Sequence, residues 1–407
     1  MELRSISLDE RAEFIRTVTL GFGHSITKEP SEPRLGKVET DRTRVVVDRG
    51  QFVGWSGAYT FRLAVPGGAS VGASGVTAVG VKTTHRRRGI LRQMMTELLD
   101  DAVERGEAAA ILQASEGAIY GRFGYGLASD SCRLRLDART ARLRPFDDPG
   151  TIDLVDGKDR RQAVGAVWGR IWDRRAGGLE LPEVFIDARL EDDPDDRDGA
   201  SELLCAVHRA ADGTVDGYAL YRLKPSWGED GNPDGTVKVW QVEAADDIAY
   251  LALWRFLLSI DLMTTVEAYP RPVDDPVRWA LTDPRHARID LVGDELWVRP
   301  LDVAALLAAR SYRVVDDLVL DVVDDTRPEV GGRFRLTTSA DGTGSCARTG
   351  DPSDVTIGIA ELGSLSLGGV RPSTLAAAGR LAADAATLRR LDLLFSWDET
   401  PYLTWGF

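Results

Sequence analysis

Val79-Gly80-Val81-Lys82-Thr83-Thr84-His85-Arg86-Arg87-Arg88-Gly89-Ile90-Leu91 is the stretch on which the reading of this chain turns. Val76 to Val81 alternates small and apolar residues as a buried strand would. From Ile90 onward, Leu91, Met94, Met95, Leu98, Leu99 and Ala102 recur at helical spacing, and Gly106 supplies a stop. Between strand and helix lies a short basic loop with one glycine. The first turn of a helix exposes unpaired N–H groups at the positive end of its dipole, and a glycine lets a pyrophosphate approach them. Arginines in the loop add charge where phosphates would sit. No Gly-Lys-Ser/Thr follows, so this is not a Walker loop, and it is not a dinucleotide GxGxxG. A solvated basic turn capping an amphipathic helix is the plain alternative. The junction of a buried strand and the best helix in the chain favours phosphate binding, because α/β folds place phosphates there.

Working outward, Arg44 to Val47 and Gln51 to Trp55 flank Asp48-Arg49-Gly50, a hairpin signal, and Tyr59 to Val65 ends at Pro66-Gly67-Gly68. With Val76 to Val81 these make four strand-like pieces before the helix, and Ala108 to Gln113 reads as the next buried strand. The middle third repeats this order: Leu203 to His208, a turn at Asp212-Gly213, Gly217 to Leu223, the turn-rich Trp227 to Gly235, then Val237 to Val242. Laying Val81 on Val242 puts Val76 on Val237, Leu98 on Ser259 and Leu99 on Ile260, with helices ending near Asp100 and Asp261. An internal duplication at a separation of roughly 160 residues follows; two unrelated α/β units are the alternative. In this register His85-Arg86-Arg87-Arg88-Gly89 falls opposite Asp246-Asp247-Ile248-Ala249-Tyr250. Two acids there would repel a pyrophosphate, so one cofactor per chain is expected. Arg144 to Gly150 reads as a linker and Glu191 to Asp198 as an acidic loop. From about Leu291 a short helix at Val303 to Arg310 precedes alternating strands with Leu318, Leu320 and Val322 on one face and Phe334 and Leu336 in the next. Helices at Ser373 to Ala383 and Ala386 to Phe395 complete an α+β domain with a helix-covered antiparallel sheet.

A chain of 407 residues exceeds what one core usually organises, and 43% hydrophobic with 28% charged residues excludes disorder. Met1 to Phe14 carries charges without an apolar core, unlike a signal peptide. The uncharged run Leu63 to Val81 holds five glycines and Pro66, so no membrane span is expected, and the cytoplasm is the expected location. Cys132, Cys205 and Cys346 are scattered without CxxC spacing, which supports neither a disulfide framework nor a metal site. Fifty basic against 64 acidic side chains give a net charge of −14, disfavouring nucleic acid and favouring cationic partners.

Arg86-x-x-Gly89-x-Leu91 resembles the Arg/Gln-x-x-Gly-x-Gly/Ala signature of the GNAT superfamily of acetyl-CoA-dependent N-acetyltransferases, with leucine at the last position. More narrowly, Thr84-His85-Arg86-Arg87-Arg88-Gly89, then Ala114-Ser115-Glu116-Gly117-Ala118-Ile119-Tyr120-Gly121-Arg122-Phe123-Gly124-Tyr125-Gly126, and a chain ending in Phe407, resemble the Eis (enhanced intracellular survival) acetyltransferases. The resemblance spans the chain. It implies a mixed α/β and α+β molecule: a GNAT domain over residues 1–140, a degenerate GNAT-like domain over 141–290 and a sterol-carrier-protein-like domain over 291–407. It implies that acetyl-CoA binds with its pantetheine arm along Val79, Gly80 and Val81. Its pyrophosphate would lie on Arg87, Arg88, Gly89, Ile90, Leu91 and Arg92, with further contacts from Ser115 and Glu116.

Acetyl transfer to an amine needs a base for the nucleophile and a proton for the departing thiolate. By the same resemblance Tyr120 is the general acid and the C-terminal carboxylate of Phe407 the general base. A phenol with a pKa near ~10 can donate to sulfur at neutral pH. A free carboxylate near ~3.5 is a weak base, so its role would depend on desolvation or on transfer through water. Tyr402, Leu403, Trp405 and Phe407 make the tail too aromatic for a frayed end. Of four histidines, His24, His85, His208 and His286, only His24 is a plausible substitute base. The implied acceptors are primary amines, with aminoglycosides characteristic and protein lysines a second class, and the implied assembly is a homo-oligomer, a hexamer in the family. The tail Trp405-Gly406-Phe407 lacks an acid expected beside the terminal phenylalanine in aminoglycoside-acetylating members, which predicts narrow or weak activity on them. An acyl-CoA or lipid carrier without turnover is the rival reading, suggested by the third domain.

Overall fold

The computed structural model describes all residues from Met1 to Phe407, and their contacts divide the chain into two compact units. The first comprises Met1–Ser129, Asp173–Glu180 and Asp294–Phe407; the second comprises Asp130–Trp172 and Leu181–Gly293. No helix is long and apolar enough to cross a membrane.

In the first unit, strands β1 (Glu2–Arg4), β2 (Thr43–Asp48), β3 (Gln51–Ala64) and β4 (Ser70–Val81) pair antiparallel in sequence order. β5 (Ala109–Leu112) then lies parallel to β4, and Trp297–Pro300 of the strand Ala287–Pro300 pair antiparallel to β5. Helices α1 (Arg11–Gly21), α2 (Glu32–Gly36), α3 (Ile90–Glu104) and α4 (Gly117–Tyr120) connect them. The pieces Gln51–Trp55 and Tyr59–Val65, read as separate strands, are one continuous β3. Residues 52–59 of β3 are all buried, which erases the alternation that would have revealed it. The cause is cover from two helices: Phe14 of α1 packs with Phe52 and Trp55, while Ile90 and Met94 of α3 pack with Val53. Arg42, fully buried, donates to both oxygens of Glu107 at 2.6 and 2.7 Å and to Ser74 at 2.9 Å, so the charge is matched.

The second unit repeats the order of elements. Thr151–Val155, Leu204–Arg209, Val215–Lys224 and Gly235–Ala244 form an antiparallel run, and Met263–Pro272 lies parallel to Gly235–Ala244 after the helix Asp247–Leu258. This is the β4–α3–β5 arrangement again, but the register of the duplication needs correcting. Lys82 to Gly89 join β4 to α3, whereas only Ala245 and Asp246 join the equivalent elements. The residue matching Gly89 at the helix start is therefore Asp246. The helices also end elsewhere than expected, at Glu104 and Leu258.

Residues of the first unit beyond Val303 form a four-stranded sheet in the order Gly344–Arg348, Gly332–Thr338, Asp316–Val323, Val355–Gly358. The last pair is parallel, so the sheet is mixed and not purely antiparallel. Leu318, Leu320, Phe334 and Leu336 point to a core closed by Leu362 of the helix Ile359–Ser366 and by Leu391, Leu394 and Phe395 of the helix Ala385–Phe395. The helix expected over Ser373–Ala383 is the shorter Pro372–Ala377.

Candidate active site

β4 pairs with β5 only through Ala73–Gly75 and Ala109–Ile111. Past that point β4 carries a bulge: its register with β3 shifts opposite Trp55 and Gly57, and Ala78 adopts a positive φ of 55°. A bulge bends and twists its strand, which parts β4 from β5 and leaves the edge at Val76 to Val81 without a neighbouring strand on that side. The opening is a cavity of about 1290 Å³. That exceeds the roughly 300–1,000 Å³ usual for a small ligand, leaving room for a long cosubstrate and an acceptor.

The cavity brings together most of the predicted residues. Val79, Gly80 and Val81 form its β4 wall; Arg87, Gly89, Ile90, Leu91 and Arg92 form the wall at the start of α3; Ser115, Glu116 and Tyr120 follow β5. α3 starts at Gly89, with φ +80°, a conformation that L side chains adopt only with strain. No side chain caps the helix, so its first N–H groups are open to an anion. Arg88 does not line the cavity, because its guanidinium donates to the Thr84 carbonyl at 3.1 Å and staples the loop. Arg86 and Arg122 line it instead. His85 lines it too, with its ring nitrogens 2.9 Å from Thr84 Oγ1 and 3.3 Å from Asp48 Oδ2. His24 is exposed and does not line the cavity, although its neighbours Gly21, Phe22 and Gly23 do.

Tyr120 ends α4 and is buried, its ring edge-on to Tyr125 at 6.0 Å between centroids. Burial pushes the Tyr120 phenol up, the Glu116 carboxylate adds to the rise, and a hydrogen bond with Ser115 opposes it. The group therefore stays protonated at neutral pH. Phe407 lies outside the lining of this cavity. Its ring packs on Phe61 at 5.1 Å, a Cβ placed on Gly75 would lie 3.2 Å from it, and its N–H donates to Gln113 Oε1 at 3.2 Å. Gln113 Nε2 in turn donates to Glu295. Upstream, Leu403 and Trp405 are buried, Tyr402 N–H donates to Ala176 O at 2.8 Å, and Arg175 donates to Thr400 O at 2.6 Å. The strap Asp173–Glu180 thus holds the tail while pairing with β3 through Leu179 and Glu180. In the helix Asp247–Leu258 the matching anion position is taken: Asp246 caps it by accepting from Ala249 N–H at 2.9 Å.

Family models for an acetyltransferase (GNAT) domain match residues 2–128 and, in a second version, 177–300, and a sterol carrier protein domain model matches 303–404. An uncharacterized N-acetyltransferase of Streptomyces coelicolor is 42% identical over 87% of this chain and 86% of its own. N-acetyltransferase Eis of Mycobacterium bovis is 38% identical over 89% of this chain and 88% of its own. The chain belongs to the Eis family of GNAT acetyltransferases. The crystal structure of Eis1 from Mycobacterium abscessus superposes with a TM-score of 0.86 at 32% identity, with both chains covered completely. Like other Eis-family members the chain is an N-acetyltransferase, not a carrier without turnover, and GNAT domains use acetyl-CoA as cosubstrate. Trp55, Gly21, Phe22 and Gly23 line the site without having been singled out in the sequence. Nothing periodic or motif-like marked them, since they reach the cavity through the packing of α1 on β3 and β4.

Proposed function

We propose that the chain moves the acetyl group of acetyl-CoA to a primary amine of a small polycationic acceptor of the aminoglycoside kind. The observation that carries this reading is the single cavity shared by the open β4 edge, the uncapped start of α3 and the protonated Tyr120 phenol. The backbone of Val79 to Val81 would pair with the amide-rich pantetheine arm. The N–H groups from Gly89 onward, with Arg87 and Arg92, would hold the pyrophosphate. The acceptor nitrogen attacks the thioester carbonyl carbon, the C–S bond breaks, and Tyr120 gives its proton to the departing thiolate. The proton lost by the amine passes to the α-carboxylate of Phe407. Phe407 packs its ring on Phe61 and near Gly75, outside the cavity lining, so this proton would travel through water. A net charge of −14 favours the approach of cationic acceptors.

The test is thiol release from acetyl-CoA across a panel of amines, with two variants. A chain extended beyond Phe407 should lose about 10²- to 10⁴-fold in kcat while CoA affinity holds, and amidation of the terminus without extension controls for obstruction. Tyr120→Phe should also lower kcat, with CoA affinity unchanged. Full turnover by the amidated, folded protein removes the carboxylate from the mechanism.

A further inference from the structure

The chain end is held at two points. The Phe407 ring packs on Phe61 beside Gly75, where a Cβ would crowd both rings, 2.5 Å from Phe61 and 3.2 Å from Phe407. The Phe407 N–H donates to Gln113 Oε1 at 3.2 Å. Two substituents of one tetrahedral Cα, the nitrogen and Cβ, are thereby pinned, and together they fix where the third, the carboxyl carbon, stands. The carboxylate oxygens have no hydrogen-bond or ion-pair partner among the other residues, so they are not engaged elsewhere. A backbone N–H only donates, so Gln113 must turn its carbonyl oxygen to Phe407 and its NH2 the other way, where Nε2 donates to Glu295. Glu295 is buried on the strand Ala287–Pro300. A carboxylate at position 113 would meet Glu295 as a second acceptor, and an aliphatic side chain would hold neither partner.

Gln113 comes directly after β5 and seven residues before Tyr120. Ser115, Glu116 and Tyr120 of the same segment line the cavity, whereas Gln113 does not. One short segment thus carries both the phenol that gives a proton and the amide that grips the chain end. The bond to a buried carboxylate locks the Gln113 side chain, and a residue so locked holds its own partner in place. A proton acceptor works within hydrogen-bond reach or through one water, so a carboxylate free to swing would lose rate and not affinity. We propose that Gln113 is the positioning residue for the base: anchored by Glu295, it grips the Phe407 N–H and so fixes the place of the carboxylate that takes the proton of the amine. The inference rests on that reading of the carboxylate and goes beyond it by naming what holds the group there.

The test is a double-mutant cycle between Gln113→Leu and amidation of the Phe407 carboxylate, with turnover read for an amine that the wild type acetylates. In the native chain Gln113→Leu should lower kcat about 3- to 10-fold, with KM for acetyl-CoA and for the amine held within about 2-fold. In the amidated chain the same substitution should lower kcat no further, because a positioning residue acts only through the group it positions. An undiminished kcat in the native chain, an equal fall in both chains, or a rise in KM that accompanies the fall overturns the proposal. Where the Gln113→Leu chain fails to fold, an ester in place of the Gly406–Phe407 amide removes the N–H and leaves every side chain as it is. The ester chain should show the same loss of about 3- to 10-fold in kcat, and wild-type kcat from it overturns the proposal. Failure of the functional reading shows separately, as full turnover by the amidated chain with Gln113 intact, and it overturns this inference as well.

Discussion

His208 is buried with a carboxylate on each ring nitrogen: Asp216 lies 2.6 Å from Nδ1 and Asp148 3.1 Å from Nε2. Burial pulls its pKa down, but the hydrogen bonds and charges of Asp216 and Asp148 outweigh it and leave the imidazole raised. A group raised in the folded state contributes stability that is complete below its unfolded pKa of about 6.5 and is lost as pH climbs through the folded value. The melting temperature of the wild type, relative to His208→Gln, should therefore fall as pH rises from about 6.5. A difference that grows with pH would show that the imidazole is neutral. Tyr120 is raised by a different balance: burial and the Glu116 carboxylate push its phenol up against the opposing hydrogen bond with Ser115, and it stays protonated. The sequence could mark Tyr120 through the motif around it, but it gave no sign of the two partners of His208, which lie 8 and 60 positions away.

At the scale of elements, α3 and the helix Asp247–Leu258 have the same place in their β–α–β units and opposite N-termini. One begins at a left-handed glycine with its amides open; the other is closed by Asp246, which accepts a hydrogen bond and places negative charge at the anion position. Calorimetric titration with CoA should saturate at one molecule per chain, and two would show the second helix to be competent. Within the loop the arginines are unequal. Arg87→Ala should weaken CoA binding about 10- to 150-fold, the equivalent of about 1.5–3 kcal/mol for a charge-assisted contact. Arg88→Ala should change it less than about 3-fold, because that guanidinium is engaged with Thr84. Equal losses would mean that Arg88 turns toward the phosphates on binding. The basic triplet could be located from its neighbours in sequence, but the direction of each side chain follows from loop conformation, including the positive φ of 62° at Arg87.

At the scale of the molecule, the N-terminal and C-terminal thirds fold as one unit, and buried charge helps to join them. Arg299, on the strand that pairs with β5, donates to Asp324 at 2.6 Å just after the strand Asp316–Val323, and neither side chain is exposed. Removing one partner leaves a buried charge uncompensated. Asp324→Ala should cost about 3–5 kcal/mol in denaturant unfolding, far more than the loss expected of an exposed pair. A cost under about 1 kcal/mol would mean that water reaches Arg299 and that the joint is loose. Because the tail beneath Phe407 is anchored in this unit, acetyl transfer should decline with it.

What the sequence by itself determined is what neighbouring residues encode. The strand, basic loop and helix around Arg87, the repeated order of hairpin, strand and helix, and the strands carrying Leu318 and Phe334 all follow from apolar period and turn chemistry within short windows. Tyr120 and Phe407 were marked by resemblance, and their surroundings were not legible. Tertiary structure alone decided that Gln51–Ala64 is one strand, since burial on both faces removes the alternation that periodicity depends on. It alone decided that Asp173–Glu180 returns to hold the tail, and that the Trp55 ring packs between Gly21 and Gly80. The physical reason is common to all three: a side chain's partners are set by the packing of elements far apart in sequence, and the local free energies that write periodicity and turns carry no record of them.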